Sequence, residues 1–337
     1  MSEIIFIISL TLINIIFIMN FEFISNLIGI FDNPDNKRKI HKFKISSIGG
    51  ILIFFNITYL LTFNFLFGEK LISKNFFEID FITLFYFYIT LLIIFIMGLI
   101  DDSYELNPFL KILILISVIY FFISFDQSLE INYLRFSLTD QVYDISSFST
   151  IFTLSCIVVF MNAFNMYDGT NLQVSSISIV IFFYLLFLLN GKSYFLITLI
   201  ICLISFSFLN YKNKLFLGDN GSLILSFVIS YLFIKLYNKE VIYYAENVCL
   251  FLLLPVLDLL RLFMARISHK KSPFKPDKNH LHHILMTKFS YNSTKLILFG
   301  IYFIPVFFGI LIKEYSIFIF IQIILYLAIL KFSKEKI

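Results

Sequence analysis

The stretch FITLFYFYITLLIIFIMGLIDDSYEL, residues 81–106, decides how the rest of the chain is read. Residues 81–98 carry no charge and no proline, and as a helix at about 1.5 Å per residue they nearly cover the hydrocarbon core of a bilayer. They show none of the polar–apolar alternation of a lipid-facing barrel strand. The run then stops at two adjacent carboxylates, Asp101 and Asp102. Each would cost about 2.5–3.5 kcal/mol at the bilayer centre, so the pair is expected at the membrane edge, sharing a cation or a proton.

The same pattern, an apolar span that ends in a dense polar string, recurs along the chain. Over 337 residues, 59% are hydrophobic and 14% charged, with 46 Phe, no Trp and a mean hydropathy of +0.91. A soluble domain averages about 45–50% apolar and about 25% charged residues. The composition therefore excludes a water-soluble fold, a disordered chain and a secreted disulfide scaffold. Cys156, Cys202 and Cys249 all fall inside apolar runs and read as small core residues. The first twenty residues lack a basic start and a small-residue cleavage site, so they are expected to remain as a first span.

A ruler of about 20 apolar residues gives eleven expected membrane helices. They cover about 4–29, 48–67, 80–98, 110–125, 148–164, 174–189, 194–210, 223–237, 243–263, 294–312 and 315–332. Counted over alternate loops, one set with the C-terminal tail holds 16 Lys and Arg and the other holds 7. By the positive-inside rule the N-terminus is expected outside and the C-terminus in the cytoplasm. The expectation is an all-α integral membrane protein, a single polytopic domain over 1–337 with its active site on cytoplasmic loops. The alternation in EINYLRFSL, within the long outer loop 126–147, predicts a short hairpin.

Five polar strings fall on the predicted inner side. DNPDNKRKIHKFKISSIGG (32–50) is basic, and Gly49 and Gly50 at the mouth of the second span permit close backbone approach. Its charges suit anionic lipid headgroups as well as a phosphorylated substrate. GLIDDSYEL (98–106) holds the acidic pair. NAFNMYDGTNLQ (162–173) places Asn162, Asn165, Asp168 and Asn171 three apart, near one face if the helix continues. FLGDNGS (216–222) brackets Asp219 with Gly218 and Gly221, a pattern common in turns. The last string runs from Asp258 through Arg261 and Arg266 to PDKNHLHH, where His280, His282 and His283 cluster without cysteines to complete a zinc site. Acids, imidazoles and bases collected on one membrane face suggest a divalent cation bridging carboxylates to phosphate oxygens, the arrangement phosphoryl transfer requires.

GLIDD, NAFNMYDG, FLGDNGS and HLHH, in this order and on inner loops, resemble the polyprenyl-phosphate N-acetylhexosamine-1-phosphate transferases, glycosyltransferase family 4 type. HLHH after PDKN is similar to the bacterial undecaprenyl-phosphate GlcNAc-1-phosphate branch, whereas muramoyl-pentapeptide enzymes usually show three consecutive histidines. The resemblance covers about residues 32–285. It implies transfer of HexNAc-1-phosphate from a UDP-N-acetylhexosamine to undecaprenyl phosphate with release of UMP, assisted by Mg²⁺ or Mn²⁺, in the bacterial plasma membrane. It implies Asp101, Asp102 and Asp219 as catalytic acids, with Asp219 and Asn165 holding the metal. Lys42, Asp168, Gly169, Asn171 and Phe216 would contact the nucleotide. Lys111, Arg266, His280, His282 and His283 would hold diphosphate or sugar oxygens. Membrane lipid and a second copy of the chain are the other expected partners, and nucleic acid is not one. A muramoyl-pentapeptide-type transferase and a cation transporter are the competing readings. Two departures from the family pattern stand out: Glu105 is the third acid, and Leu172 replaces the second glycine of the DG motif.

Overall fold

A computed structural model describes residues 2–34, 43–67, 81–273 and 277–334. In chain order the elements are helix α1 (Ser2–Met19), α2 (Phe21–Ile28), strands β1 (Phe31–Asp32) and β2 (Ile45–Ser46), α3 (Gly49–Leu66), α4 (Phe81–Tyr104) and α5 (Pro108–Phe125). Next come β3 (Tyr133–Phe136), β4 (Gln141–Asp144), α6 (Ser149–Tyr167), α7 (Gln173–Leu188), α8 (Tyr194–Tyr211) and α9 (Gly218–Asn238). The last four helices are α10 (Ala245–Ser268), α11 (Leu281–Met286), α12 (Tyr291–Ile312) and α13 (Tyr315–Lys334).

Each of the eleven expected spans is helical. Among the described residues nine helices are long and apolar enough to cross a membrane, and α7 is apolar but shorter. The first expected span is broken at Asn20, where α1 and α2 meet at 74°. The protein is an all-α, multi-pass membrane protein. α11 is a helix the hydropathy reading did not anticipate, because six residues are too few to show a period.

The described residues group into two compact units. One comprises Met1–Asn107 and Val174–Leu225, the other Pro108–Gln173 and Ser226–Ile337. In the first unit α8 packs on α1 and α3. Asn14 and Asn56 join α1 to α3, with the Asn14 amide donating to Asn56 Oδ1 at 2.6 Å. Such a pair matters between apolar helices, where hydrocarbon offers its polar atoms no other partner. Cys202 is buried on α8.

In the second unit α10 packs against α6, α12 and α13, and α5 against α6. Cys156 on α6 and Cys249 on α10 are exposed, so two of the three cysteines are not core residues. The expected hairpin is present, β3 pairing antiparallel with β4 from Tyr133↔Asp144 to Phe136↔Gln141. Buried Glu246 at the start of α10 holds it, accepting from the Ser137 N–H at 2.7 Å. Lys235 and Asp126, both buried, form an ion pair at 2.7 Å beside it. Residues 218–225 of α9 belong to the first unit and the rest to the second. α9 is apolar on nearly every side beyond its first turn and buried along almost its full length, as an all-round apolar helix must be.

Candidate active site

In the first unit the acidic string meets the start of α9. A helix start leaves four backbone N–H groups without intrahelical partners and carries a partial positive charge. Here the cap comes from another helix. Asp102, near the end of α4, accepts from the Asp219 N–H at 2.8 Å and the Asn220 N–H at 3.2 Å. The Asn220 side chain donates to the same carboxylate at 2.5 Å. Asp102 therefore fixes the first turn of α9 and with it the half-buried Asp219, whose charge also acts on Asp102. Asp101 is buried and accepts from the Leu106 N–H at 2.7 Å, closing the turn at the end of α4.

This junction is possible because glycines line it. A Cβ on Gly98 of α4 would sit 2.3 Å from the Asn220 Cα, and one on Gly50 of α3 would sit 1.5 Å from Asn220 Oδ1. Gly218 has φ +75, a left-handed turn that glycine adopts without strain. The N–H groups of Gly49 and Gly50 donate to the carbonyls of Phe216 and Leu217 at 3.1 and 3.0 Å, and the Phe216 N–H donates to Ser46 at 2.8 Å. Phe216 is thus pinned by its backbone, with its ring half-buried.

In the second unit the NAFNMYDGTN string does not continue as a helix. α6 ends at Tyr167, and Asp168 is the exposed cap residue beyond it. The four residues spaced three apart therefore do not share one helix face. Asn162 bonds back to the Val158 carbonyl at 2.8 Å, while the Asn165 amide nitrogen is buried without a hydrogen-bond partner. The turn is held by the Tyr291 hydroxyl, which accepts the Asn171 N–H at 2.9 Å, and by Thr170 donating to Gln173 at 2.9 Å. Leu172 adopts φ +68, the left-handed region that a glycine would enter freely.

The histidines pack onto this turn. A Cβ on Gly169 would fall 2.1 Å from the His282 ring, so the glycine is where the turn and α11 touch. His282 is buried and stacks within 5.5 Å of His280 and 4.3 Å of His283, centroid to centroid. Burial first, then the neighbouring His283 and His280, push the His282 imidazole down to about 3. At neutral pH it is an uncharged ring, suited to packing and hydrogen bonding. Buried Arg266 pairs with Asp277 at 2.9 Å and donates to the Pro273 carbonyl at 2.5 Å, fastening the loop that carries the histidines. Burial opposes the Asp277 charge, but the Arg266 hydrogen bond and the Asn279 N–H outweigh it, and its carboxyl lies below the usual range. Buried Asp258 binds the other end of the loop through the Leu281 N–H at 3.3 Å.

The expected site residues therefore fall into two groups. Asp101, Asp102, Phe216 and Asp219 come together in the first unit. Asp168, Gly169, Asn171, His280, His282 and His283 come together in the second, where Asn165 and Arg266 adjoin them and half-buried Lys111 lies in the first turn of α5. Lys42 lies outside the described residues. Sequence reasoning missed Gly98, Asn220, Tyr291 and Tyr326 and gave Asp258 no role. Only Asp258 offered a signal, as an acid inside an apolar run with Arg261 one turn on.

No three His, Cys, Asp or Glu side chains among the described residues form a metal cage. The donor chemistry nevertheless suits Mg²⁺, which is usually held by one or two carboxylates while substrate phosphates and water fill the remaining positions. Half-buried Asp219 supplies a carboxylate of that kind.

The sequence profile of glycosyl transferase family 4 matches residues 84–237. A probable undecaprenyl-phosphate N-acetylglucosaminyl 1-phosphate transferase of Bacillus subtilis is 27% identical over 310 residues, 90% of this chain and 82% of its own length. The undecaprenyl-phosphate alpha-N-acetylglucosaminyl 1-phosphate transferase of Thermotoga maritima is 27% identical, covering 89% of this chain and 90% of its own. The Salmonella typhi protein of the same name is 25% identical over 83% of this chain and 75% of its own. The matched segment contains the Asp102-capped start of α9 and the turn after α6, so the similarity to glycosyl transferase family 4 falls on the residues that build both turns.

Proposed function

We propose that the protein transfers an N-acetylhexosamine 1-phosphate, in the first instance GlcNAc 1-phosphate, from its UDP-sugar to undecaprenyl phosphate. The reaction releases UMP and begins a cell-surface glycan in the bacterial plasma membrane. The observation that carries this reading is the fastening of the DG turn onto the histidine helix at Gly169 and His282, in a chain whose relatives bear the transferase name.

The acceptor is a phosphate monoester whose second pKa lies near 6, so at neutral pH its oxygen is already largely deprotonated. That oxygen attacks the β-phosphorus of the donor, the bond from β-phosphorus to the bridging oxygen breaks, and UMP leaves with the electron pair. With little proton transfer to perform, the chain's task is positioning and charge stabilisation. Asp102 orients the first turn of α9 so that Asp219 is presented. Asp168, Gly169 and Asn171 form the turn assigned to the uridine, with Phe216 to stack on the base and Lys42 as a further nucleotide contact. His280 and His283 are assigned to diphosphate and sugar oxygens, with Lys111 adding positive charge. Arg266, engaged with Asp277, acts by holding the loop. Asp219 and Asn165 would hold Mg²⁺, which supplies neutralisation of the diphosphate charge.

Membranes containing the protein should release UMP from a UDP-HexNAc only when undecaprenyl phosphate and Mg²⁺ are both present. Full activity in Asp219→Ala would overturn the assignment. A panel of UDP-sugars assayed for UMP release identifies the donor.

A further inference from the structure

Asp258 has more polar partners than any other buried carboxylate of α10, and none of them belongs to a motif used above except the histidine loop. One oxygen accepts from the Arg261 guanidinium at 2.7 Å and from the Tyr326 hydroxyl at 2.9 Å. The other accepts the Leu281 N–H, the first of α11, at 3.3 Å and faces His280 Nδ1 at 3.6 Å. Tyr326 in turn accepts from Arg261 Nε at 2.7 Å, and Arg261 donates to the Asn279 carbonyl at 2.6 Å. Asp258 and Tyr326 are both buried. α10, α13 and the start of the HLHH string are thereby tied at a single carboxylate.

We propose that Asp258, completed by Arg261 and by Tyr326 of the last helix, is the positioning residue of the histidine cluster. One oxygen is held by Arg261 and Tyr326, and the other sets the cluster in two ways. Through the Leu281 N–H it fixes the start of α11, and hence the rings of His282 and His283 that α11 carries. The same oxygen lies 3.6 Å from His280 Nδ1, an approach too long for a hydrogen bond, so its charge favours the ring orientation that turns Nε2 away from the carboxylate and leaves it for the donor's sugar or phosphate oxygens. A buried carboxylate with partners from three segments is retained at a desolvation cost, and removing one partner leaves the others unsatisfied. The inference rests on the transferase reading only for the identity of the donor. The placement of α11 stands on the hydrogen bonds to Leu281 and Asn279 alone.

The test uses full-length protein in lipid nanodiscs, as wild type, Asp258→Asn and Tyr326→Phe. Hydrogen exchange of the peptide spanning 279–286 is measured beside UMP-release kinetics with UDP-GlcNAc and undecaprenyl phosphate varied separately. Asp258→Asn should speed exchange in 279–286, leave the 133–144 hairpin unchanged, and raise the donor KM about tenfold while the acceptor KM holds within about twofold. Tyr326→Phe, which deletes one hydroxyl, should move the same two readouts by about two- to threefold. Unchanged exchange at 279–286, or a loss confined to kcat or to the acceptor KM, would overturn the proposal. If Asp258→Asn does not fold, Tyr326→Phe decides. If wild type releases no UMP, the transferase reading fails, and the exchange measurement still judges whether Asp258 holds the histidines.

Discussion

The acidic junction at the start of α9 and the histidine loop after α10 are built on opposite principles. The junction is held by backbone: Asp102 caps two main-chain N–H groups, and glycines 49, 50, 98 and 218 let three helices approach within backbone contact. The loop is held by side chains reaching across long sequence distances, Arg266 to Asp277 and Tyr326 to Asp258. A junction built on missing side chains tolerates no added atom, whereas a loop built on charge tolerates no lost partner. The first fails by volume and the second by unpaired polarity.

The sharpest way to break the comparison is Gly98→Ala. The new methyl meets the Asn220 backbone at 2.3 Å, and backbone at the foot of a fully buried helix has nowhere to move. Overpacking of this kind costs about 1–3 kcal/mol and more where backbone must shift. A lowered melting temperature together with loss of UMP release is expected, while Gly98→Ala with full activity would mean the junction is looser than its glycines suggest. Asp102→Asn comes next. The amide keeps the shape but turns an NH₂ toward N–H donors, leaving a buried donor unmatched at about 1–3 kcal/mol. Its melting temperature should fall, and Asp102→Glu should not restore it, because one more methylene displaces the cap.

The two regions also differ in how far they could be read in advance. The spans, the hairpin and the close approach at Gly49 and Gly50 were legible because hydropathy and glycine are local signals. The acidic motif was legible as chemistry, but the role of Asp102 as a cap for a helix 117 residues away was not. Nothing near GLIDD says that α9 begins with unsatisfied N–H groups beside it. The four polar residues of 162–171 misled in the other direction, since regular spacing suggested a face that the helix end at Tyr167 removes. Tyr326 and Tyr291 carry no signal at all: each sits in or at an apolar span and matters only through a hydroxyl that finds a partner in the fold.

The side-chain-held loop should also be the acid-sensitive region. Unfolded, His282 titrates near 6.5, while folded it resists protonation down to about 3. Between those values the unfolded chain binds a proton that the folded chain refuses. The stability is fully present above about pH 6.5 and falls by about 1.4 kcal/mol for each pH unit below it. Asp277 adds nothing in the upper part of this window, because a carboxyl held low keeps its contribution until the pH drops below about 4. Faster hydrogen exchange of 279–286 at pH 5.5 than at 7.5, after correction for the intrinsic rate, is expected. His282→Gln should flatten that difference. An equal difference in the variant would place the acid sensitivity elsewhere.

The smallest effect lies at Leu172, the place where side-chain and backbone principles meet. A left-handed φ of +68 costs an L residue about 1–2 kcal/mol, and here it is imposed on leucine by the Tyr291 hydroxyl on one side and the Thr170–Gln173 bond on the other. Leu172→Gly removes the strain but loosens the unfolded chain by about 0.5–1 kcal/mol, so the net gain is expected below about 1 kcal/mol. Tyr291→Phe, which deletes one of the two constraints, should make the turn depend more on its intrinsic preference. Leu172→Gly should then stabilise the Tyr291→Phe background more than the wild type, a difference a double-mutant thermal melt reads directly. If Leu172→Gly instead destabilises both backgrounds equally, the packing of the leucine side chain outweighs the strain in its backbone, and this turn belongs with the side-chain-held loop it touches.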